Sequence, residues 1–146
     1  MSNRAHDTAT PSDRWNRMIA STLNQRYPGR CEEQVTIGLD LYADQPYSAD
    51  FLVHDPSGDL IISLRWQEEP GDEEEEVIYQ IASLANLVRT SGTCRKAYLV
   101  LGGPGFSSGA KSFLFRQRHR DLILHGDLVE VISSEDFLAH AGKGSL

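Results

Sequence analysis

Residues 48–79 read SADFLVHDPSGDLIISLRWQEEPGDEEEEVIY. They predict a strand at 49–54, a tight turn where Asp, Pro, Ser and Gly follow one another, and a second strand at 60–66. The Leu-Ile-Ile run of the second strand is typical of a strand in the middle of a sheet. A Pro-Gly-Asp break then precedes a helix predicted at 73–89. The stretch therefore predicts a hairpin followed by a crossover helix.

The same stretch carries polar side chains at spacings that suit a shared site. Ser63, Arg65 and Gln67 alternate along the second strand, so we expect them on one face of the sheet. Asp50 opens the neighbouring strand, and four glutamates at 73–76 begin the helix. One acid, one cation and one amide on neighbouring strands, with more acids on the next element, are typical of a divalent-metal phosphodiesterase site.

The rest of the chain extends this hairpin into a sheet with helices. The other predicted elements are a helix at 14–26 capped by Ser12 or Asp13, strands at 35–42, 97–101 and 128–132, a helix at 109–119, and a short terminal helix capped by Ser134. A strand, a helix and a strand in succession imply a parallel crossover. The order αβββαβαβ therefore predicts an α/β fold, with a mixed central sheet flanked by helices in a single domain.

Length and composition narrow the classes of protein. The 146 residues suit one domain, for which we expect a disordered arm at 1–11 and the folded domain at 12–146. Neither a signal peptide nor an apolar run of the roughly 18 residues that a membrane span needs is present. Two cysteines, Cys31 and Cys94, suit a reducing compartment, so we expect a cytoplasmic protein without a membrane partner.

Charge is distributed unevenly along the chain. The net charge of −7 argues against a general nucleic-acid binder, and seven acids fall between residues 68 and 76. A basic set follows later, with Lys111, Arg116, Arg118 and Arg120 in one segment. We expect this segment to track a DNA backbone through phosphate contacts, with a solvated basic face as the alternative.

A family resemblance connects these features. Asp50, a hairpin and the run Ser63-Leu-Arg65-Trp66-Gln67 precede Gly71, Glu74, Glu75, Tyr79 and the glycines 102, 103 and 105. This pattern, over residues 34–106, resembles the PD-(D/E)xK nuclease superfamily, and within it a Ser-x-Lys-Trp-Gln branch found in bacteria and phages. The resemblance implies a restriction-endonuclease-like αβββαβ core. The chain departs from the pattern at Arg65, where the family has lysine.

The resemblance also implies a metal site for Mg2+ (or Mn2+). Asp50 would be the first ligand, whereas Ser63 stands where most of the superfamily has a second acid. The missing carboxylate would come from the helix. Val77 and Ile78 follow Glu74 by three and four residues, so Glu74 extends the buried stripe and is the preferred ligand, with Glu75 second. Acids at a helix start are alternatively a solvated turn that the helix dipole favours.

Arg65, Gln67 and the loop at residues 102–106 each have two possible roles. Arg65 could hold a phosphate bidentately, although it cannot accept a proton, and it could instead pair with a nearby acid. Gln67 would orient water or a phosphate, or satisfy backbone groups at the end of its strand. The loop at residues 102–106 could approach a phosphate with its amides, or be a plain turn.

The sequence is compatible with three functions. The first is a magnesium-dependent DNA endonuclease whose catalytic residues are Asp50, Ser63, Arg65, Gln67 and Glu74. The second is a catalytically degraded relative that binds DNA or a protein, and the third is an interaction module that docks through its acidic run. A small domain with one site would need to form a homodimer to cut both strands of a duplex.

Overall fold

A computed structural model describes residues 8–146. Its helices and strands are, in chain order, α1 (Pro11–Arg26), β1 (Cys31–Leu39), β2 (Pro46–Val53), β3 (Asp59–Trp66), α2 (Glu73–Ser91), β4 (Cys94–Gly102), α3 (Ser108–Phe115), β5 (Val129–Ser133) and α4 (Ser134–Lys143). Two short 3-10 helices, Arg118–Asp121 and Gly126–Leu128, lie between α3 and β5. The predicted order of elements is confirmed.

The five strands form one mixed sheet in the order β1-β2-β3-β4-β5. The first three strands are an antiparallel meander. The helix α2 then crosses over to place β4 parallel to β3, and β5 lies parallel to β4. The α/β class with a mixed sheet flanked by helices is therefore confirmed.

Each face of the sheet has its own apolar core. Ile61 and Leu99 point toward α2 and α3, where they pack with Ile81 and other buried residues of α2. The alternate positions Ile62 and Val100 point toward α1 and α4. Both faces of β3 are thus covered, as the apolar run in its sequence predicts for a central strand. No helix within residues 8–146 combines the length and apolar composition that a bilayer crossing requires.

The first helix begins earlier than predicted. Thr10 is its N-cap: the Thr10 hydroxyl accepts from the Asp13 amide at 3.1 Å, and the Asp13 carboxylate accepts from the Thr10 amide at 3.1 Å. The predicted caps Ser12 and Asp13 are wrong because Pro11, which favours the first turn, starts the helix. The predicted arm at 1–11 extends too far for the same reason, and its residues 1–7 lie outside the described part of the chain.

Other boundaries also differ from the predictions, most clearly those of β1 and α3. Strand β1 begins at Cys31 and ends at Leu39, so Leu41 lies outside it and is 39% exposed. Helix α3 ends at Phe115 rather than at residue 119, because Gln117 has a φ of 60° and the chain then enters a 3-10 turn. A left-handed residue cannot continue an α-helix, and no glycine or proline marks this position in the sequence.

Candidate active site

A cavity of about 610 Å³ opens beside α2 where β2 and β3 separate. The ladder between the two strands runs from Val53–Leu60 to Phe51–Ile62. Ala49 packs in the core under α2 and Phe51 in the core under α1, so the alternation of faces is interrupted between them. The residues that line the cavity and carry polar groups are Asp40, Tyr47, Ser48, Asp50, Arg65, Glu76, Tyr79 and Gln80.

Asp50 supplies the most buried carboxylate of this cavity. Its Oδ2 atom accepts a hydrogen bond from the Leu64 amide at 2.7 Å, which fixes the carboxylate on β3. Burial raises the pKa of the Asp50 carboxyl, and the hydrogen bond from Leu64 offsets part of that increase. The side chain is thus held in place by the sheet and is costly to ionise without a cation nearby.

Arg65 reaches the same cavity from β3. Its Nε donates to Gln80 Oε1 at 2.9 Å, and its Nη2 lies 3.5 Å from Glu76 Oε2. The Glu76 side chain is 67% exposed, so this ion pair contributes little, under about 1 kcal/mol, and can exchange with another anion. The guanidinium is therefore oriented mainly by Gln80.

Gln80 belongs to a chain of hydrogen bonds that continues under the cavity. Its Nε2 donates to the Tyr47 hydroxyl at 3.0 Å, and the Tyr47 and Ser63 hydroxyls share a further hydrogen bond at 3.0 Å. Ser63 is buried and has this tyrosine contact where the superfamily pattern has a metal-binding acid. This chain of hydrogen bonds therefore fixes the relative positions of four side chains, those of Arg65, Gln80, Tyr47 and Ser63.

Gln67 does not line this cavity. The side chain is buried, and its Nε2 donates to the carbonyls of Glu69 at 3.1 Å and Gly105 at 3.2 Å. The Gly105 amide in turn donates to the Gln67 carbonyl at 2.8 Å. A Cβ on Gly103 would lie 2.3 Å from that carbonyl oxygen, so the loop at residues 102–106, which we call the glycine loop, packs closely on residue 67. The Gln67 side chain thus satisfies backbone carbonyls at the end of its strand, and the glycine loop is a turn that packs against it.

The helix acid that lines the cavity is Glu76 rather than Glu74. The Glu74 carboxylate accepts from the amide of Ser107 and, at 3.0 Å, from its hydroxyl. Glu75 is exposed and lines a separate apolar depression with Ile78 and other residues. The structure does not bring Glu74 or Glu75 to Asp50, because the first turn of α2 faces the loop that precedes α3.

Comparison with known proteins identifies the fold family. A family model described as PD-(D/E)XK nuclease superfamily domain matches residues 7–145. The chain belongs to the PD-(D/E)XK nuclease superfamily. No curated protein matches it. The chain is also similar to the crystal structure of the protein of unknown function AF1548, at 12% identity and a TM-score of 0.49, over 81% of this chain and 55% of that one. It thus spans about half the length of that protein.

The basic residues of this nuclease-superfamily domain lie apart from the cavity. Lys111 is on α3, Arg116 caps its end, and Arg118 and Arg120 follow in the 3-10 turn. All four are exposed, but they do not share one helical face and none of them lines the Asp50 cavity. Their role in DNA binding stays a prediction, as does the Ser-x-Lys-Trp-Gln branch.

Sequence reasoning missed Tyr47, Glu76 and Gln80. Glu76 and Gln80 are four residues apart, which places them on one face of a helix, and this spacing was the available signal. Tyr47 gave none, since its contact with Gln80 spans 33 residues of chain. Across residues 8–146 the structure holds no preformed cluster of three or more His, Cys, Asp or Glu side chains that could hold a metal ion.

Proposed function

We propose that this chain is a magnesium- or manganese-dependent DNA endonuclease whose site is the Asp50 cavity. Membership in the nuclease superfamily supports the reaction class. The observation that carries the proposal is the half-buried, hydrogen-bonded Asp50 carboxylate in one cavity with the Arg65 guanidinium. A fixed acid beside a fixed cation suits a metal-bridged phosphate.

The donor set of the cavity fits a hard divalent cation. Asp50 and Glu76 supply two carboxylates, and magnesium is commonly held by one or two carboxylates together with water and substrate oxygens. When bound, such a cation polarises the phosphate and lowers the pKa of an attacking water. We assign the holding of the cation to Asp50 and Glu76, in place of the glutamates 74 and 75.

Arg65 would stabilise the phosphate in this reaction. A guanidinium can bind two phosphate oxygens at once, and the exposed Glu76 carboxylate at 3.5 Å gives up its contact at small cost. Arginine cannot take a proton from water, so its role is to offset the negative charge that develops in the transition state. Gln80 and Tyr47 would act as positioning residues that keep the guanidinium aimed into the cavity.

A second candidate is a relative that keeps the fold to bind DNA or a protein without cutting. One specific observation favours it. The polar side chains that the superfamily pattern would use are already engaged: Ser63 with Tyr47, Gln67 with the glycine loop, and Glu74 with Ser107. Arg65, moreover, replaces the lysine of that pattern.

Nicking of supercoiled plasmid DNA distinguishes the two candidates. We expect cleavage by the wild-type protein in magnesium or manganese, none with a chelator, and a loss of at least about a hundredfold in Asp50→Asn and Arg65→Ala. Glu76→Gln should weaken manganese binding measured by calorimetry. Its matched control is Glu73→Gln, on the same turn of α2 but outside the cavity.

DNA binding without cleavage, unchanged by Asp50→Asn, would favour the second candidate. A wild-type protein that binds neither manganese nor DNA would refute both nucleic-acid functions and would leave the protein-interaction module.

A further inference from the structure

An apolar surface lies on the solvent side of α2, away from the Asp50 cavity. Leu122 and Leu124 are 69% and 83% exposed, and Ile78 is 36% exposed. Leu122 and Ile78 line a depression of about 350 Å³, whereas Leu124, Leu41 and Ala82 line another of about 510 Å³. Because both depressions border α2 and residues 122–124, they form one continuous patch, which we call the α2 surface.

The stripe of α2 that faces outward within this surface has a symmetric spacing, with exposed residues at its ends and half-buried ones at Ala82 and Asn86. Its members are Glu75, Ile78, Ala82, Asn86 and Arg89, spaced by three and four residues as one helical face requires. Ala82 lies at the centre, with Ile78 and Asn86 four residues away on either side. Glu75 and Arg89 are each seven residues from the centre, an acid at one end and a cation at the other. A second copy of this helix, turned antiparallel, would therefore place Glu75 opposite Arg89 and Ile78 opposite Asn86.

We propose that the α2 surface is the interface of a homodimer in which two α2 helices pack antiparallel across a twofold axis at Ala82. Each Glu75 then faces Arg89 of the second copy, about 10 Å along the helix from the axis at 1.5 Å per residue. A twofold interface makes this contact twice. The small Ala82 side chain lets the two helices approach closely at their crossing point. The interface does not depend on the proposed hydrolysis.

The charges at the two ends of the stripe are free for this pairing. Among residues 8–146, neither Glu75 nor Arg89 forms an ion pair. Arg89 Nη2 donates to the neutral Asn86 Oδ1 at 3.0 Å, a contact that it can keep or exchange. Rim charges of this kind select partner and register more than they add affinity.

The apolar part of the surface is also self-complementary. Leu124 projects from the segment between the two 3-10 helices, next to the depression floored by Ala82 and Asn86. In the antiparallel arrangement, Leu124 of one copy reaches the depression of the other, and the reverse holds by symmetry. Burial of two such leucines would supply the apolar centre that a stable interface needs.

Sedimentation velocity on the full chain over a wide concentration range tests the dimer. We expect the wild type to sediment as a species whose mass is twice the chain mass of 16.3 kDa. Leu124→Glu and Ala82→Arg should sediment as monomers. Met18→Glu, a matched apolar-to-acid change on α1 behind the other face of the sheet, should remain dimeric.

Charge reversal tests the antiparallel register. Glu75→Arg and Arg89→Glu should each raise the dissociation constant at least about tenfold, because each places like charges together at two points. The double variant should return it to within about threefold of the wild type. Glu73→Arg repeats the charge change off the stripe and should have no such effect. Circular dichroism melting confirms that each variant is folded.

A wild type that stays monomeric at every concentration would overturn the homodimer. So would a dimer that Leu124→Glu leaves intact. A dimer that the single charge reversals weaken but the double variant does not restore would overturn the antiparallel register about Ala82.

Discussion

The carboxylate of Asp50 accepts a hydrogen bond from the main-chain nitrogen of Leu64 at 2.7 Å, beyond the point where the β2–β3 ladder ends at Phe51 and Ile62. A side-chain oxygen thus satisfies a strand amide that would otherwise need a carbonyl partner. This side-chain hydrogen bond holds the two strands together where their ladder ends, and beyond it the strands separate. The separation creates the cavity into which Arg65 extends.

The two roles of Asp50 can be separated by mutation. Asp50→Asn retains an acceptor for the Leu64 amide, whereas Asp50→Ala leaves a half-buried donor without a partner, which costs about 1–3 kcal/mol. We expect both variants to lose cleavage. Only Asp50→Ala should lower the free energy of unfolding in urea at pH 7. Equal stabilities of the two variants would contradict the structural role of the hydrogen bond.

The pKa of Asp50 gives this comparison a pH dependence. The folded-state pKa is raised above the ordinary value of 3.8, so the native state binds the proton more tightly than the unfolded state. Asp50 therefore stabilises the fold most below pH 3.8, and this contribution is lost as pH rises through the folded-state pKa. We expect Asp50→Asn to be more stable than the wild type at pH 7 and to lose that advantage in acid.

Arg65 and Gln80 should contribute to activity in a graded way. Arg65→Ala removes the proposed charge stabiliser and should lower the cleavage rate at least about a hundredfold. Gln80→Leu keeps the arginine but removes the acceptor at 2.9 Å from its Nε, so we expect a smaller loss, on the order of tenfold. The control is Gln25→Leu, an exposed glutamine on α1 behind the opposite face of the sheet. If Gln80→Leu cleaves like the wild type, Gln80 does not position Arg65.

The glycine loop should tolerate no side chain at residue 103. Gly103 has a φ of +92°, and a Cβ there would lie 2.3 Å from the Gln67 carbonyl oxygen. We expect Gly103→Ala to lower the free energy of unfolding by about 3 kcal/mol, through strain and the loss of close packing. Gly109→Ala is the matched control, because Gly109 lies in α3 with nothing within 4 Å of its added Cβ. That variant should be neutral or stabilised by up to about 1 kcal/mol.

His119 should make the fold sensitive to acid. Its side chain is fully buried, its Nε2 lies 2.8 Å from the Val129 carbonyl, and burial lowers the pKa of the imidazole below the ordinary 6.5. The native state therefore binds fewer protons than the unfolded state. Stability from this group is complete above pH 6.5 and is lost as pH falls toward the lowered folded-state pKa.

Thermal melting between pH 7.5 and 5 measures this contribution. We expect the melting temperature of the wild type to fall over that range more than that of His119→Gln, which cannot be charged. His125→Asn replaces an exposed histidine at a φ of 62°, a conformation that asparagine tolerates, and should melt like the wild type at every pH. Parallel pH curves for wild type and His119→Gln would show that His119 does not titrate as proposed.

The element order, the fold class and the placement of Asp50 and Arg65 at one site could be predicted from the sequence alone. Each follows from local rules: periodicity identifies the strands, a four-residue turn joins the two of them that carry these side chains, and a helix after the hairpin requires a parallel crossover. Residues on the two strands of a short hairpin stay near one another even where, as here, the ladder stops at Phe51 and Ile62. Arg65 and Asp50 therefore needed no long-range information.

Only the tertiary structure decided which polar side chains accompany them. Helical periodicity defines the faces of α2 but not which contact each polar face makes. Here Ser107, 33 residues later in the chain, binds Glu74, while Glu76 and Gln80 line the cavity. Gln67 lies one residue past the end of β3, where the glycine loop after β4 captures its amide. These contacts are set by packing between elements that are distant in sequence, and no local pattern contains them.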